Sequence, residues 1–348
     1  MLSKEEKERY SRHLILEGFG EEAQLKLKNA KVLVVGAGGL GCPALLYLSA
    51  AGVGTIGIID DDIVSESNLQ RQILFSIEDV GKQKVLSAKA KLNSQNPFIQ
   101  IETYFKRINA ENACDIIKNY DLVLDSSDNF ATRYLLNDAC VILNKPLVYG
   151  SIYKFEGQVS VFNYKNGPTY RCLFPEPPNE GEMPACGEVG VLGVLPGITG
   201  TWQATEAIKI ITEIGEPLSG KLLRFELLSN SISTFEFEAD EKNKLISKLG
   251  EYDFNCEINS VSLDKLKDLE KKETIQLVDV RDKNEFETKN LKGINIPVSE
   301  IKTRITELNP NLKTVVHCKS GVRSKQAIEI IKGYYPEIEI YNLTDYNL

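Results

Sequence analysis

Short apolar runs alternate along this chain with longer stretches whose apolar side chains return every three or four positions. Lys31–Val35, Thr55–Asp60, Gln100–Phe105, Leu122–Asp125 and Leu147–Gly150 read as strands. Lys82–Asn93, Ala110–Lys118 and Ala131–Leu143 read as helices between them, and residues 1–28 read as helical ahead of the first strand. Such alternation predicts an α/β fold, a doubly wound and mostly parallel Rossmann-like sheet. Gln158–Tyr164 and Leu222–Leu227 predict further strands of antiparallel kind. Between them Pro168–Gly190 is rich in Pro, Gly and Glu and too long for an idle connection. A helix over Ile198–Ile214 follows, carrying the only Trp, Trp202. The charged run Glu238–Glu251 reads as a boundary. It divides the chain into a first domain over 1–240, a linker over 241–256 and a smaller α/β domain over 257–348. In the latter, Ile275–Val280 and Thr314–His317 read as strands and Ser324–Lys332 as a helix.

Composition narrows the classes. The 348 residues suffice for two cores, and the net charge of −8 argues against broad nucleic-acid or anionic-membrane binding. Seven scattered Cys suit reduced thiols rather than a secreted disulfide framework. The N-terminus, MLSKEEKERYSRH, has no apolar signal core. The most apolar run, Ala44–Ile59, is broken by Ser49, Gly52, Gly54 and Gly57, so it reads as a buried helix plus a strand rather than a membrane span. A cytoplasmic protein is the default expectation.

Gly36, Gly38 and Gly41 form G-x-G-x-x-G between a strand and a helix. Such a turn lets backbone approach phosphate at a helix N-terminus. Asp60, ending the next strand, is placed to hold ribose hydroxyls, and to this point a dinucleotide dehydrogenase fits equally well. Asn68, Arg71 and Gln72 then follow the acidic strand end, with Lys84 and Asp128 further on. Two cations and a candidate Mg²⁺ carboxylate suit charge developing on a triphosphate better than a nicotinamide. Against this stand a glycine turn without ligand, and ordinary surface charge at Arg71 and Lys84.

Cys318 opens the loop Cys318, Lys319, Ser320, Gly321, Val322, Arg323, Ser324, between a strand and a helix. Backbone N–H groups in such a loop form an anion nest, and Arg323 favours thiolate or persulfide. A phosphatase loop needs five residues between Cys and Arg. Here there are four, which favours a sulfur carrier, with a phosphatase and an inert structural Cys as alternatives.

The ordered motifs RYSRH, GAGGLG, DDDIVSESNLQRQ, GKQK, DSSDNFATRYLLND and PACGEVGVLGVLPG, with DVRDKNEF, KGINIP and CKSGVRS downstream, carry a resemblance. The chain resembles the ubiquitin-activating-enzyme-like adenylyltransferases of sulfur-carrier pathways, of MoeB/ThiF type, with a C-terminal rhodanese-like domain. The resemblance spans roughly residues 5–230 and 257–348. It implies ATP and Mg²⁺, and a small ubiquitin-like sulfur carrier ending in Gly-Gly whose C-terminus is adenylated. By motif, Asp60 would hold ribose, Arg71 and Lys84 would neutralise phosphate, Asn68 would orient it and Asp128 would bind Mg²⁺. Gly36, Gly38, Gly39, Gly41, Asp62 and Gln72 complete the implied nucleotide set. Arg12 would reach the other subunit of a homodimer. Cys318 would carry a persulfide supplied by a donor such as a cysteine desulfurase. Cys186, on the family's crossover loop, serves acyl or sulfur transfer in some members and is dispensable in others. The expected product is a carrier thiocarboxylate, for molybdopterin first and thiamine second. An NAD-dependent oxidoreductase and a non-catalytic carrier-binding module are the rival readings.

Three departures qualify the resemblance. Family zinc sites use two C-x-x-C pairs, but the partner of Cys172 is Thr169 and only Cys256 follows the later strand, so no zinc is expected. No His occupies Thr288–Gly293, and the chain ends at TDYNL, implying a shortened tail. Cys42, Cys114 and Cys140 read as packing residues. With only His13 and His317 present, imidazole acid/base chemistry is not expected, and His317 reads as strand packing.

Overall fold

Lys31–Val35 (β1) and Thr55–Ile59 (β2) are apolar on both faces because helices cover both sides of the sheet they enter. The computed structural model describes residues 1–177, 190–252, 259–319 and 321–344, which fall into two compact units. In the first unit, Gln100–Tyr104 (β3), Leu122–Asp125 (β4) and Leu147–Tyr153 (β5) join β1 and β2. Glu156–Phe162 (β6), Lys221–Glu226 (β7) and Ser231–Glu236 (β8) extend the sheet, whose order is β3-β2-β1-β4-β5-β6-β7-β8. Pairing is parallel from β3 to β5 and antiparallel from β5 to β8. The expected α/β class and the antiparallel extension are both present.

Helices Lys4–Arg9 (α1), Ser11–Leu14 (α2) and Gly20–Asn29 (α3) precede β1, and Gly41–Ala51 (α4) follows it. Lys84–Gln95 (α5), Ala113–Ile117 (α6), Phe130–Ile142 (α7) and Tyr170–Leu173 (α8) come next, then the long helix Val194–Thr212 (α9). Alternate residues of β1 serve opposite cores, as a period of two requires. Val32 and Val34 pack with Leu45, Leu48 and Ala204, while Leu33 and Val35 pack with Tyr134 and Leu136. At Gly200 an added Cβ would lie 2.1 Å from the Leu40 carbonyl oxygen, so α9 can approach α4 this closely only with glycine there.

The charge run does not mark the linker where expected. Residues 241–252 belong to the first unit. The Tyr252 hydroxyl donates to Asp138 Oδ2 at 2.8 Å, Arg171 grips the same carboxylate through two 2.8 Å bonds, and Leu249 packs on the same core. The charges form the solvated side of a segment docked by its few apolar groups.

The second unit is a five-stranded parallel sheet of order β11-β10-β12-β13-β9. Its strands are Asn259–Ser262 (β9), Ile275–Asp279 (β10), Ile294–Asn295 (β11), Lys313–His317 (β12) and Ile340–Thr344 (β13). Helices Leu263–Glu270 (α10), Lys283–Thr288 (α11), Ile301–Arg304 (α12) and Val322–Tyr334 (α13) complete it. Among the described residues no helix is long and apolar enough to cross a membrane.

Candidate active site

In the first unit β1 pairs with β2 on one side and β4 on the other. Chain order reverses there, and the crevice beyond the strand ends is where an open α/β sheet takes its ligand. The Gly-rich turn crosses that crevice. Gly36 has φ +97°, and an added Cβ would stand 2.7 Å from the Ser126 carbonyl oxygen. A Cβ on Gly41 would stand 1.9 Å from the Gly36 carbonyl oxygen. Gly38 and Gly39 face the segment after β2, with Gln72 Nε2 at 3.9 Å and Arg71 Cγ at 3.7 Å from their respective Cβ positions. Tertiary structure thus brings Arg71 and Gln72 onto the glycine turn.

Asp60 is fixed by its own neighbours. Oδ2 accepts from the Ala37 N–H at 2.7 Å and Oδ1 from the Asp62 N–H at 2.8 Å. Burial raises its pKa against the opposing pull of Lys84. Lys84 reaches this place because Ile63 bridges to Gln83, which brings the start of α5 beside the end of β2. Its Nζ, on a residue only 4% exposed, lies 2.7 Å from Asp62 Oδ2. Asp62 is exposed, so this partner is readily exchanged for another anion. Arg71 donates to the Ser67 carbonyl at 3.1 Å, and Asn68 Oδ1 accepts from the Ser65 N–H, closing a short turn. Gln72 is buried, and its Oε1 has no hydrogen-bond partner among the described residues.

Asp128 lies exposed past the end of β4, and Asn129 caps α7 by accepting from the Thr132 N–H. Beneath it sits Asp125, which the sequence reading passed over. Asp125 is 1% exposed; its Oδ1 accepts from the Ser127 N–H and hydroxyl, while Oδ2 has no hydrogen-bond partner among the described residues. Burial raises its pKa and the charge of Arg133 opposes this. Gln203 of α9 donates to the Asp125 carbonyl at 2.6 Å. The motif DSSD held this residue in view, but only the fold distinguishes its buried Asp from its exposed one.

The carboxylates of Asp60, Asp61 and Asp62 lie within 4.8 Å of one another. Asp128 belongs to no such group among the described residues. A lone exposed carboxylate suits Mg²⁺, which is held by one or two carboxylates together with substrate phosphates. Arg12 is exposed on α2, and no hydrogen bond or ion pair among the described residues ties it to the glycine turn of its own chain.

Cys186 and Cys256 lie outside the described residues, as does Ser320. Cys42 is buried, and burial pushes its thiol up to about 12. Cys140 is likewise buried and shifted upward, while Cys114 is only partly buried. Cys172 differs. Its Sγ accepts from the Asp240 N–H at 3.3 Å, the Thr169 N–H at 3.4 Å and Asn243 Nδ2 at 3.6 Å, with Thr169 Oγ1 at 3.3 Å. Burial raises this thiol, but the hydrogen bonds outweigh burial and bring it below its ordinary value. Thr169 stands where a C-x-x-C pair would have its second thiol, and among the described residues the other groups around this sulfur are hydrogen-bond donors rather than thiolates.

In the second unit Cys318 follows β12 and is 1% exposed. Gly321, at φ +81°, turns the loop into α13. The Gly321 and Ser324 N–H groups point at Sγ from 3.1 and 3.3 Å. Ser324 Oγ lies 3.4 Å from the sulfur and donates to Asn342 Oδ1 at 2.6 Å. His317 is buried beside Asp279, and burial lowers its pKa, so it is neutral. Arg323 is held by Glu285, a partner the sequence reading did not single out.

The ThiF family model matches residues 10–247, and the Rhodanese-like domain model matches residues 262–344. This chain belongs to the ThiF family. Its C-terminal unit is a rhodanese-like domain. Among ThiF relatives, the probable adenylyltransferase/sulfurtransferase MoeZ of Mycobacterium tuberculosis is 45% identical over 95% of this chain and 89% of its own length. The adenylyltransferase and sulfurtransferase MOCS3 of Drosophila persimilis is 44% identical over 96% and 81%. The sulfur carrier protein adenylyltransferase of Thermus thermophilus is 53% identical over 66% and 86%. The crystal structure of E. coli MccB with ATP shares the fold at 24% identity, with a TM-score of 0.60 over 70% of this chain and 73% of that one.

Proposed function

We propose that this ThiF-family chain adenylates the C-terminal glycine of a ubiquitin-like sulfur carrier and then converts it to a thiocarboxylate. The chain is an adenylyltransferase and a sulfurtransferase. The observation that carries the adenylation half is the packing of Arg71 and Gln72 on Gly38 and Gly39, with Lys84 set beside Asp60. A carboxylate is a poor acyl donor until its oxygen becomes part of a good leaving group. The carrier's carboxylate oxygen bonds to the α-phosphorus of ATP, the bond to the bridging oxygen breaks and pyrophosphate leaves. Asp60 holds ribose and Asn68 orients the phosphates. Arg71 and Lys84 meet the charge that develops, Lys84 exchanging Asp62 for phosphate. Asp128 would hold Mg²⁺, which would neutralise phosphate charge when bound. Arg12 of the second copy in a homodimer completes the site, and no zinc takes part.

Cys318 carries the sulfur. Its persulfide attacks the acyl carbon, a C–S bond forms, the C–O bond to phosphate breaks and AMP leaves. Cys186 thiolate then attacks Cys318 sulfur. The S–S bond cleaves to free the thiocarboxylate, leaving a Cys186–Cys318 disulfide that an external thiol reduces. Holding both activities in one chain makes the transfer intramolecular, at an effective concentration on the order of millimolar for a short linker. The molybdopterin carrier is the favoured partner, the choice that the resemblance to relatives spanning both units puts first, and the thiamine carrier is second.

The test uses the full chain with ATP, Mg²⁺, a Gly-Gly-ending carrier and a persulfide donor. Carrier-dependent ATP–pyrophosphate exchange and a carrier thiocarboxylate in the intact mass are expected. Exchange that ignores the carrier would overturn the adenylation reading. Thiocarboxylate formed equally well by Cys318→Ala would overturn the sulfur route. Unaltered exchange in Asp128→Ala would overturn the Mg²⁺ assignment.

A further inference from the structure

Arg323 stands in the Cys318 loop, yet its charge is already matched. Nη1 lies 2.5 Å from Glu285 Oε2 and Nη2 lies 3.0 Å from Glu285 Oε1, a two-toothed ion pair. Asp282 adds a second carboxylate 3.7 Å from Nη1. Glu285 is locked in turn. It occupies the first turn of α11, where the Asp282 N–H donates to its Oε2. The strand end before α11 is also fixed, by the buried pair of Arg281 with Asp279 and by Arg281 donating to the Lys289 carbonyl at 2.6 Å. The Arg323 guanidinium holds the Glu285 carboxyl well down, at about 2, so the pair stays charged at neutral pH.

This arrangement bears on what can deliver sulfur. Thiosulfate brings a dianion whose sulfonate needs a cation or free N–H donors while Cys318 thiolate attacks its outer sulfur and sulfite leaves. A thiol persulfide brings far less charge. The same attack on its outer sulfur breaks the S–S bond and releases a thiolate, with no net oxidation in either case. At this loop the Gly321 and Ser324 N–H groups point at Cys318 Sγ itself. Lys319 and Lys325 are exposed, so water and salt screen them. Among the described residues of the loop Arg323 is the cation held in its frame, and Glu285 occupies both teeth of its fork.

We propose that Glu285 is a specificity-determining positioning residue: by engaging Arg323 it removes the seat for a sulfonate, so Cys318 accepts sulfane sulfur from a thiol persulfide in preference to thiosulfate. This rests on the reading of Cys318 as the sulfur-carrying thiol. The experiment loads full-length protein with glutathione persulfide or thiosulfate and follows Cys318 persulfide by mass, taking kcat/KM for each donor. Wild type favours the persulfide. Glu285→Gln shifts the ratio toward thiosulfate by about tenfold, mainly through KM, the size of one charge-assisted contact freed at a partly exposed site. The shift shrinks as salt is raised. It disappears in the double variant Glu285→Gln/Arg323→Gln, because the freed cation is then gone. An unchanged ratio in Glu285→Gln, or a shift that survives loss of Arg323, overturns the proposal. An equal fall for both donors overturns it too, since that is what lost loop geometry alone would do. Glu285→Asp, which keeps a carboxylate, restores the wild-type preference and separates charge from folding. If Cys318 takes sulfur from neither donor in wild type, the underlying reading of Cys318 fails instead.

Discussion

The glycine turn of the first unit and the Cys318 loop of the second are built alike. Each follows a parallel strand and enters a helix, and each turns through a glycine with positive φ: Gly36 at +97° and Gly321 at +81°. They differ in what they do with charge. At the glycine turn the cation Lys84 rests on the exposed Asp62, and Gln72 Oε1 has no partner among the described residues. At the Cys318 loop the N–H groups close on the protein's own buried sulfur, and Arg323 is clasped by Glu285. The first leaves its cation on an exposed carboxylate that another anion can replace, and the second turns its donors onto a sulfur of the chain itself. One backbone device serves both ends, and the surrounding side chains decide which.

Separate removal of each function breaks the comparison most sharply. Cys318→Ala should abolish carrier thiocarboxylate, a loss of at least about a thousandfold, while ATP–pyrophosphate exchange persists. Loss of exchange as well would mean the two sites do not act as distinct devices. Lys84→Ala should lower exchange about a hundredfold, the cost of one preorganised donor, and leave persulfide loading of Cys318 measurable by mass. A fall below tenfold would show that Lys84 does not meet the developing charge.

Two glycines sharpen the contrast. Gly321→Ala places a side chain at φ +81° and should cost about 1–2 kcal/mol of the second unit's stability, read by denaturant melts. A Cβ on Gly38 meets nothing closer than Gln72 Nε2 at 3.9 Å. Gly38→Ala should therefore leave the melt almost unchanged but raise KM for ATP about tenfold, because the methyl enters the space backbone leaves for phosphate. A stability loss at Gly38 equal to that at Gly321 would erase the distinction.

The smallest effect concerns Cys172, a sulfur held by donors but outside the Cys318 loop. Its rate of alkylation by iodoacetamide should rise at lower pH than for a free thiol, whose pKa is about 8.5, while Cys42 and Cys140 stay unreactive until unfolding. The folded form favours this thiolate, so its contribution to stability is full above the unfolded thiol value and is lost as pH falls through the lowered folded one. Cys172→Ser should flatten that dependence. A titration of Cys172 at or above the free-thiol value would remove the contrast with Cys42.

Much of this was legible in the chain. Strong periodic runs such as Lys31–Val35 and Phe130–Ile142 declared themselves because both cores of the first unit demand apolar contacts at fixed spacing. The β9 strand did not, since Asn259–Ser262 has little apolar pattern and joins its sheet through backbone pairing with β13. Nor did β8, whose six residues are all exposed at a sheet edge. The charge run suggested a linker at 241–256, because charge density cannot reveal that Tyr252 is anchored on Asp138, over a hundred positions earlier.

The sequence by itself determined the alternation of elements, the two glycine-dependent turns and the kinds of side chain available near each. These follow from short-range rules: strand and helix periods, and the φ that only glycine adopts freely. Tertiary structure decided the pairings. It set Arg71 and Gln72 on Gly38 and Gly39, buried Asp125 while leaving Asp128 exposed, and gave Arg323 to Glu285. Charge and desolvation act through space, so the state of each group waited on neighbours that chain order does not name.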